Sequence, residues 1–336
     1  MRSRGHPFPA GARYVLAVSQ QASRPPPDRQ IWIDGGLVPW QEATVHVLSH
    51  SLQRGSLVFD YMSLHPSPRG TAIFRLGQHV DRFLQSAELV GLPLTLGREA
   101  LEAGVVETVR VNPGARAVKM SAFLPSVEVD VVPQDPRVSV AIAAYDPVRD
   151  VVEHNSGEWK SRSTARLWIE KERRNRRDDI VPPQAKVAAN YASPMIAKWR
   201  ARKRGFDDIL LVDEEGFIAE APTSNVFWVD AAGTLRTPPE RHVLLGVTRR
   251  SILELAKHDG LACTESQVRP DELAGAAEVF LTGTTAGVWP VESIDGRPVG
   301  EGAPGPVSAR LRDRFVAVSN GEDEAFHHWL TFVDEV

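Results

Sequence analysis

The chain acquires a regular pattern at Ile31, where Ile31-Trp32-Ile33, Asp34-Gly35-Gly36 and Leu37-Val38 predict a hairpin around a glycine turn. Strands are expected over residues 56–62 and 71–74, separated by the Pro/Gly-rich turn 66–70, after which the apolar period changes from that of a strand to that of a helix. Val80, Phe83, Leu84 and Ala87 share one helical face, which Gly91 and Pro93 bring to an end. A helix over 98–110 and strands over 116–123 and 137–144 follow. Further on, Ala192, Met195, Ile196 and Trp199 form a helical stripe closed by Gly205. Strands at 209–212 and 217–219 flank a turn at Glu215-Gly216, and another strand covers 225–229. A helix over 248–258 should bury Ile252, Leu255 and Ala256, and a strand at 278–281 runs into Gly283.

This alternation of strands and helices predicts a mixed α/β (α+β) chain, and 336 residues exceed one ordinary core. The division expected is a disordered extension at 1–28, a small α/β domain at 29–148, a linker at 149–160 and a larger domain at 161–336. Arg2, Arg4 and the prolines at 25–27 mark the extension, and the apolar run 14–18 is too short for a signal peptide. The charge-dense stretch 149–179, with Lys171-Glu172-Arg173-Arg174 and Arg176-Arg177, reads as connecting or surface structure, and its part 160–177 as a solvated surface helix in preference to a lid or a contact with a partner subunit.

Charge narrows the function classes. Lys plus Arg at 39 against Asp plus Glu at 43 gives a net −4, which argues against general electrostatic binding of nucleic acid, and no apolar run is long enough to span a membrane. The single cysteine, Cys263, excludes an internal disulfide and any Cys-rich zinc site, and points to a reducing, cytoplasmic setting.

Three segments carry candidate chemistry. Lys186 lies in Pro182-Pro183-Gln184-Ala185-Lys186-Val187-Ala188-Ala189-Asn190-Tyr191, among small residues that let a flat ring approach, and a lysine in such a pocket can form an imine. Glu220 ends an apolar stretch before Ala221-Pro222-Thr223-Ser224-Asn225, and a carboxylate there can hold a proton on a ring nitrogen. Leu245-Gly246-Val247-Thr248-Arg249 places a glycine turn before a helix whose first amides form an anion site, and Gly283-Thr284-Thr285-Ala286-Gly287 adds amides and hydroxyls. Singly, each has an ordinary reading: a solvated lysine, an edge-strand glutamate, a capped turn.

Together with Phe74-Arg75-Leu76, these segments resemble the fold type IV (class IV) aminotransferases over roughly residues 30–300, in unbroken order. The resemblance implies a two-lobed fold and pyridoxal 5′-phosphate as cofactor, carried by Lys186 as a Schiff base. It further implies that Glu220 pairs with the pyridine nitrogen, that Tyr191 bonds the phenolic oxygen and that Arg75 clamps the phosphate. Gly246, Val247, Thr248 and Thr284 would complete the phosphate cup. The other reading of Arg75 is a salt bridge to Asp81 or Glu88. Amino donor and 2-oxo acid acceptor would then react in ping-pong order, and a homodimer is implied by resemblance only.

Substrate contacts are expected from Phe59, Arg54, Lys119, Thr285 and Ala286. Here the chain departs from many branched-chain enzymes: Arg54 stands for a Tyr, Asp60-Tyr61 for Glu-Gly, and Ala117-Val118-Lys119 for Tyr-x-Arg. Arg54 and Lys119 either bind a substrate carboxylate or face solvent at the rim. A branched-chain or other apolar L-amino acid is the first expectation. D-amino-acid or R-selective amine transaminases, an aminodeoxychorismate-type lyase and, from another class, a nucleic-acid module using 171–177 are the alternatives.

Overall fold

The computed structural model describes residues 28–153 and 162–335, so most of the expected extension and of the expected linker lies outside the described residues. β1 (Gln30–Ile33) and β2 (Gly36–Pro39) form the expected hairpin. Asp34 and Gly35 sit at φ 50° and 101°, the pair of left-handed residues that a two-residue turn between twisted strands requires. After a short helix α1 (His50–Arg54) come β3 (Val58–Ser67), β4 (Gly70–Phe74), α2 (Leu76–Leu89), α3 (Arg98–Val111), β5 (Ala117–Phe123) and β6 (Ser139–Tyr145). On β3, Val58, Asp60, Met62 and Leu64 point inward under α2 and α3, while Phe59, Tyr61 and Ser63 take the opposite face. The inward face packs Val80, Phe83, Leu101, Val105, Met120 and Ile142 into one core, and each such side chain contributes about 1.5–3 kcal/mol by leaving water.

The second sheet draws on β7 (Ala165–Arg174), β8 (Asp208–Val212), β9 (Glu220–Ala221), β10 (Ser224–Val229), β11 (Leu235–Thr237), β12 (Cys263–Glu265), β13 (Glu278–Gly283), β14 (Gly287–Ile294) and β15 (Arg297–Pro298). Its path is β12-β11-β10-β13-β14-β7-β8, with β9 on β10 and β15 on β14; β14, β7 and β8 run parallel, and so do β11 and β12. Helices α4 (Ala192–Lys203), α5 (Val247–His258) and α6 (Pro306–Ser319) cover it. The last strand, β16 (Leu330–Phe332), returns to pair antiparallel with β4, so the first sheet reads β16-β4-β3-β5-β6-β1-β2 and closes on the chain's own end.

Two expectations change. The charged stretch is not a surface helix: residues 165–174 form β7 between β14 and β8, because Ala165, Leu167 and Ile169 alternate inward while the charges leave at the far end. Within that stretch Arg176 turns inward to Glu220, while Lys171 approaches Asp295 and Arg177 pairs with Asp179 at the surface. On α4 the expected stripe faces outward, with Met195 59% and Trp199 64% exposed. The helix instead lays Ala197 and Ala201 on Ile209 and Leu211, because small residues allow the closest approach to the flat sheet. Among the described residues no helix is long and apolar enough to cross a membrane.

Candidate active site

The lysine segment is fastened to the small lobe. Phe59 N–H donates to the Lys186 carbonyl at 3.0 Å, Ala188 N–H to the Leu57 carbonyl at 2.8 Å, and Lys186 N–H to Ser86 Oγ at 3.0 Å. These bonds fix the main chain while the side chain projects into a cleft, where Nζ donates to the Tyr191 hydroxyl at 3.0 Å and stands 4.9 Å from the Phe59 ring centre. Burial opposes ionisation of the Tyr191 phenol. The Lys186 ammonium and the Arg176 guanidinium outweigh it and hold the phenol below its ordinary range.

Glu220 closes one end of the cleft, placed by β9 pairing with β10. Its Oε1 accepts from Arg176 Nη1 at 3.1 Å; its Oε2 accepts from Leu244 N–H at 3.1 Å and Asn225 Nδ2 at 3.3 Å. Burial still wins over these partners and pushes the carboxyl above its ordinary range. At the other end the first amides of α5 have no partner within their helix and open towards the cleft beside Gly246, Val247, Thr248 and Thr284. Gly246 is required there: a Cβ would collide with Asn225 Oδ1.

The cleft thus brings together Lys186, Glu220, Gly246, Val247, Thr248 and Thr284, with Tyr191 bonded to the lysine and Phe59 beside it. It does not bring in Arg75. That guanidinium lies 3.4 Å from the Trp329 ring centre and is paired with Glu254, because Arg75 takes a left-handed turn before α2 that aims it at the C-terminal segment. Neither Asp81 nor Glu88 is its partner; Asp81 pairs with Arg98. Two helical turns on, Arg82 does line the cleft, as does Arg176 beside Glu220. Sequence reasoning passed over Arg82, although a charged residue beside Phe83 on the apolar face of α2 was a readable signal. Arg176 was missed because it was counted with the solvated charge run.

The substrate candidates divide. Lys119 stands 5.0 Å from the Phe59 ring centre, and burial together with the nearby Lys186 charge lowers its pKa. Arg54 is exposed and donates to the Val129 carbonyl at 3.0 Å. Thr285 and Ala286 occupy the exposed turn after β13, where Thr285 bonds the Tyr61 side chain. Among the described residues no cluster of metal-ligating side chains occurs.

Residues 57–294 match the family model for amino-transferase class IV. The chain belongs to the class IV aminotransferases. This class IV aminotransferase is 32% identical over 310 residues to the branched-chain-amino-acid aminotransferase of Pseudomonas aeruginosa, covering 91% of this chain and 98% of that one. The Escherichia coli K12 enzyme of the same name is 32% identical over 308 residues, covering 91% and 97%. Among solved structures, the T.th. branched-chain amino acid aminotransferase with pyridoxamine 5′-phosphate superposes with a TM-score of 0.84 at 34% identity, covering 92% of this chain and 100% of that one. That of Thermoproteus uzoniensis with norvaline gives 0.82 at 31%, covering 91% and 99%. The fold is accordingly the two-lobed fold type IV architecture.

The cofactor of a class IV aminotransferase is pyridoxal 5′-phosphate, and the cleft suits it. Among the described residues Arg176 Nε and Thr282 Oγ1 are buried without hydrogen-bond partners at this cleft, and both can donate to an incoming group. An amine, an anion-binding end and a proton-holding carboxylate thus line one cleft, which is the donor set that an aldehyde, a phosphate and a ring nitrogen call for.

Proposed function

We propose that this transaminase moves an amino group between a branched-chain or other apolar L-amino acid and a 2-oxo acid, in ping-pong order. The observation that carries the reading is the line from Glu220 through Lys186 and Tyr191 to Arg82 and the α5 terminus, with the half-buried Phe59, Tyr61, Ala141 and Ala143 on the facing sheet. When bound, the cofactor supplies an electron sink for the substrate α-carbon. Lys186 Nζ then moves the proton at that carbon, and Glu220 keeps the proton on the ring nitrogen. Tyr191 holds the phenolic oxygen, while Arg82, the amides of Val247 and Thr248, and the hydroxyls of Thr248 and Thr284 hold the phosphate. Thr285 and Ala286 receive the substrate carboxylate at the rim, Phe59 and Tyr61 shield the reacting face from water, and Lys119 meets the second carboxylate of an acidic acceptor.

The names of the relatives support the branched-chain choice over a D-amino-acid or R-amine enzyme. A half-reaction panel tests it. L-Leucine, L-isoleucine and L-valine should bleach the cofactor absorbance and 2-oxoglutarate should restore it. Bleaching by D-alanine or an R-amine alone, or pyruvate released from aminodeoxychorismate without an acceptor, sinks the reading.

We further infer a cytoplasmic homodimer that handles no nucleic acid. Exposed Val47, Leu48, Leu52, Val129, Val131 and Val132 gather where the segment before α1 and the segment after β5 are tied together by His50, an apolar patch suited to a second copy. Analytical ultracentrifugation should give about twice the chain mass of 37.0 kDa.

A further inference from the structure

Arg82 enters the cleft from α2 with its guanidinium already held. Nε donates to Asp60 Oδ2 and Nη2 to Asp60 Oδ1, each at 2.8 Å, while Nη1 donates to the Leu245 carbonyl at 3.2 Å. Of the five N–H bonds of a guanidinium, three are thereby engaged, and Nη2 also lies 3.4 Å from His79 Nδ1, which leaves the second N–H of Nη1 for the cleft. Asp60 lies on β3, fully buried, and accepts two more bonds, from His79 Nδ1 at 2.6 Å and from Tyr61 N–H at 2.7 Å. The ionised carboxylate can only accept, so Nδ1 of His79 carries the proton it shares.

Stability does not account for this cluster. A buried ion pair recovers its desolvation penalty only with saturated geometry, and well-packed apolar side chains of similar volume serve a core at least as well. The surroundings are apolar already: Val58, Met62, Val80 and Phe83 are buried on the same strand and helix. What the cluster achieves, and an apolar replacement would not, is an arginine of fixed direction at the cleft wall. A bidentate fork allows one orientation. His79 fixes the carboxylate in turn.

We propose that Asp60 and His79 are positioning residues for Arg82, and that through it this buried pair sets the preference of the enzyme for the phosphorylated cofactor over the unphosphorylated ring. The inference rests on the phosphate role of Arg82 proposed above.

The test is equilibrium binding to the full-length cofactor-free protein, using pyridoxal 5′-phosphate and pyridoxal as separate probes and reading the absorbance of the Lys186-bound chromophore. Arg82→Met should weaken the phosphorylated probe and leave pyridoxal unchanged; equal effects on both probes, or none, overturn the Arg82 reading itself. With that selectivity in hand, Asp60→Asn should weaken the phosphorylated probe by about 10- to 100-fold, the range seen when an outer partner of a ligating group is removed. It should leave pyridoxal binding alone, and in the Arg82→Met background it should cause no further loss. A residue of merely structural importance would weaken both probes and its effect would add to that of Arg82→Met. That result, or unchanged binding of the phosphorylated probe, overturns the positioning role while leaving the Arg82 reading intact. If Asp60→Asn does not fold, the same comparison passes to His79. His79→Phe should show a smaller loss confined to the phosphorylated probe, and His79→Asn, whose amide can donate to Asp60, should restore binding; equal behaviour of the two variants overturns the proposal.

Discussion

Asp60 and Glu220 are both buried carboxylates facing an arginine, yet their environments push them in opposite directions. Burial disfavours the charge on each. At Asp60 this is overcome by Arg82 in a two-point fork, by His79 and by the Tyr61 amide, and the carboxyl is held well below its ordinary range. Glu220 meets Arg176 through a single nitrogen, and its other oxygen has a backbone amide at 3.1 Å and the Asn225 amide at 3.3 Å, so burial keeps the upper hand. The difference lies in saturation. Asp60 is gripped by a two-point fork and works as a fixed anion, whereas Glu220, although Asn175 also bonds it, is left with burial dominant and would gain from a further proton donor. A pyridinium N–H at its end of the cleft would complete it.

The largest effect expected from this contrast is on catalysis. Glu220→Gln removes the carboxylate that holds the ring-nitrogen proton, and leaving a charge unpaired there costs about 3–5 kcal/mol, a fall of roughly 10²- to 5 × 10³-fold in kcat. Single-turnover rates with L-leucine would check it, and near-normal turnover breaks the assignment. Beside its effect on binding of the phosphorylated cofactor, Asp60→Asn should also cost stability, because it strands the Arg82 charge in the core. A loss of about 3–5 kcal/mol in urea unfolding is expected, with much smaller change for Glu220→Gln. Equal destabilisation by the two would erase the distinction.

The same contrast has a signature in pH. A group whose folded pKa is lowered contributes stability that is present above its unfolded value and lost as pH falls through the folded one; for Asp60 the loss begins below about pH 4. Glu220 runs the other way. Its folded pKa is raised, so its penalty is absent at low pH and appears as pH climbs from about 4.3 towards the raised value. In cofactor-free protein, Glu220→Gln should therefore gain on the wild type as pH rises across that window, by about 1.4 kcal/mol for every pH unit the window spans. Urea midpoints between pH 4 and pH 7 measure it, and a stability difference independent of pH would remove the claim that burial dominates at Glu220.

What the sequence made legible follows the same division between saturated and unsaturated groups. Local patterns gave the β1–β2 hairpin, α3 and α5 nearly to the residue, and the buried face and C-terminal end of α2, because alternation and the turn residues at 34–35 are short-range signals. Lys186, Glu220 and the Gly246 turn were legible because each sits in a distinctive local string. Arg75 was given the phosphate and Arg82 was not considered, for lack of a long-range fact: the first is claimed by Glu254 and Trp329, far along the chain, and the second by Asp60. The α4 stripe failed likewise, since Ala197 and Ala201 fit the sheet more closely than Met195 and Trp199, and only the partner surface reveals it. Tertiary pairing decided each of these cases, and periodicity carries no information about it.

The smallest effect expected concerns Lys119, which extends the comparison to a cation. Like Glu220 it is poorly saturated, although its side chain reaches the surface: it leans on the Phe59 ring, and partial desolvation together with the like charge of Lys186 lowers its pKa. It lines a cavity of about 230 Å³ with Trp40, Ser121, Ala141, Ala143, Tyr145 and Val151, where it is the sole charged side chain among the described residues. A cation in that state gains most from a carboxylate arriving with the substrate, and an apolar donor offers none beyond the one held at the rim. Lys119→Met should then raise KM for 2-oxoglutarate by about 10-fold, the worth of one charge-assisted bond of roughly 1.4 kcal/mol, while KM for L-leucine stays within about twofold. Equal changes in both would place Lys119 among residues that shape the cavity without reading charge, and the parallel with Glu220 would end at its geometry.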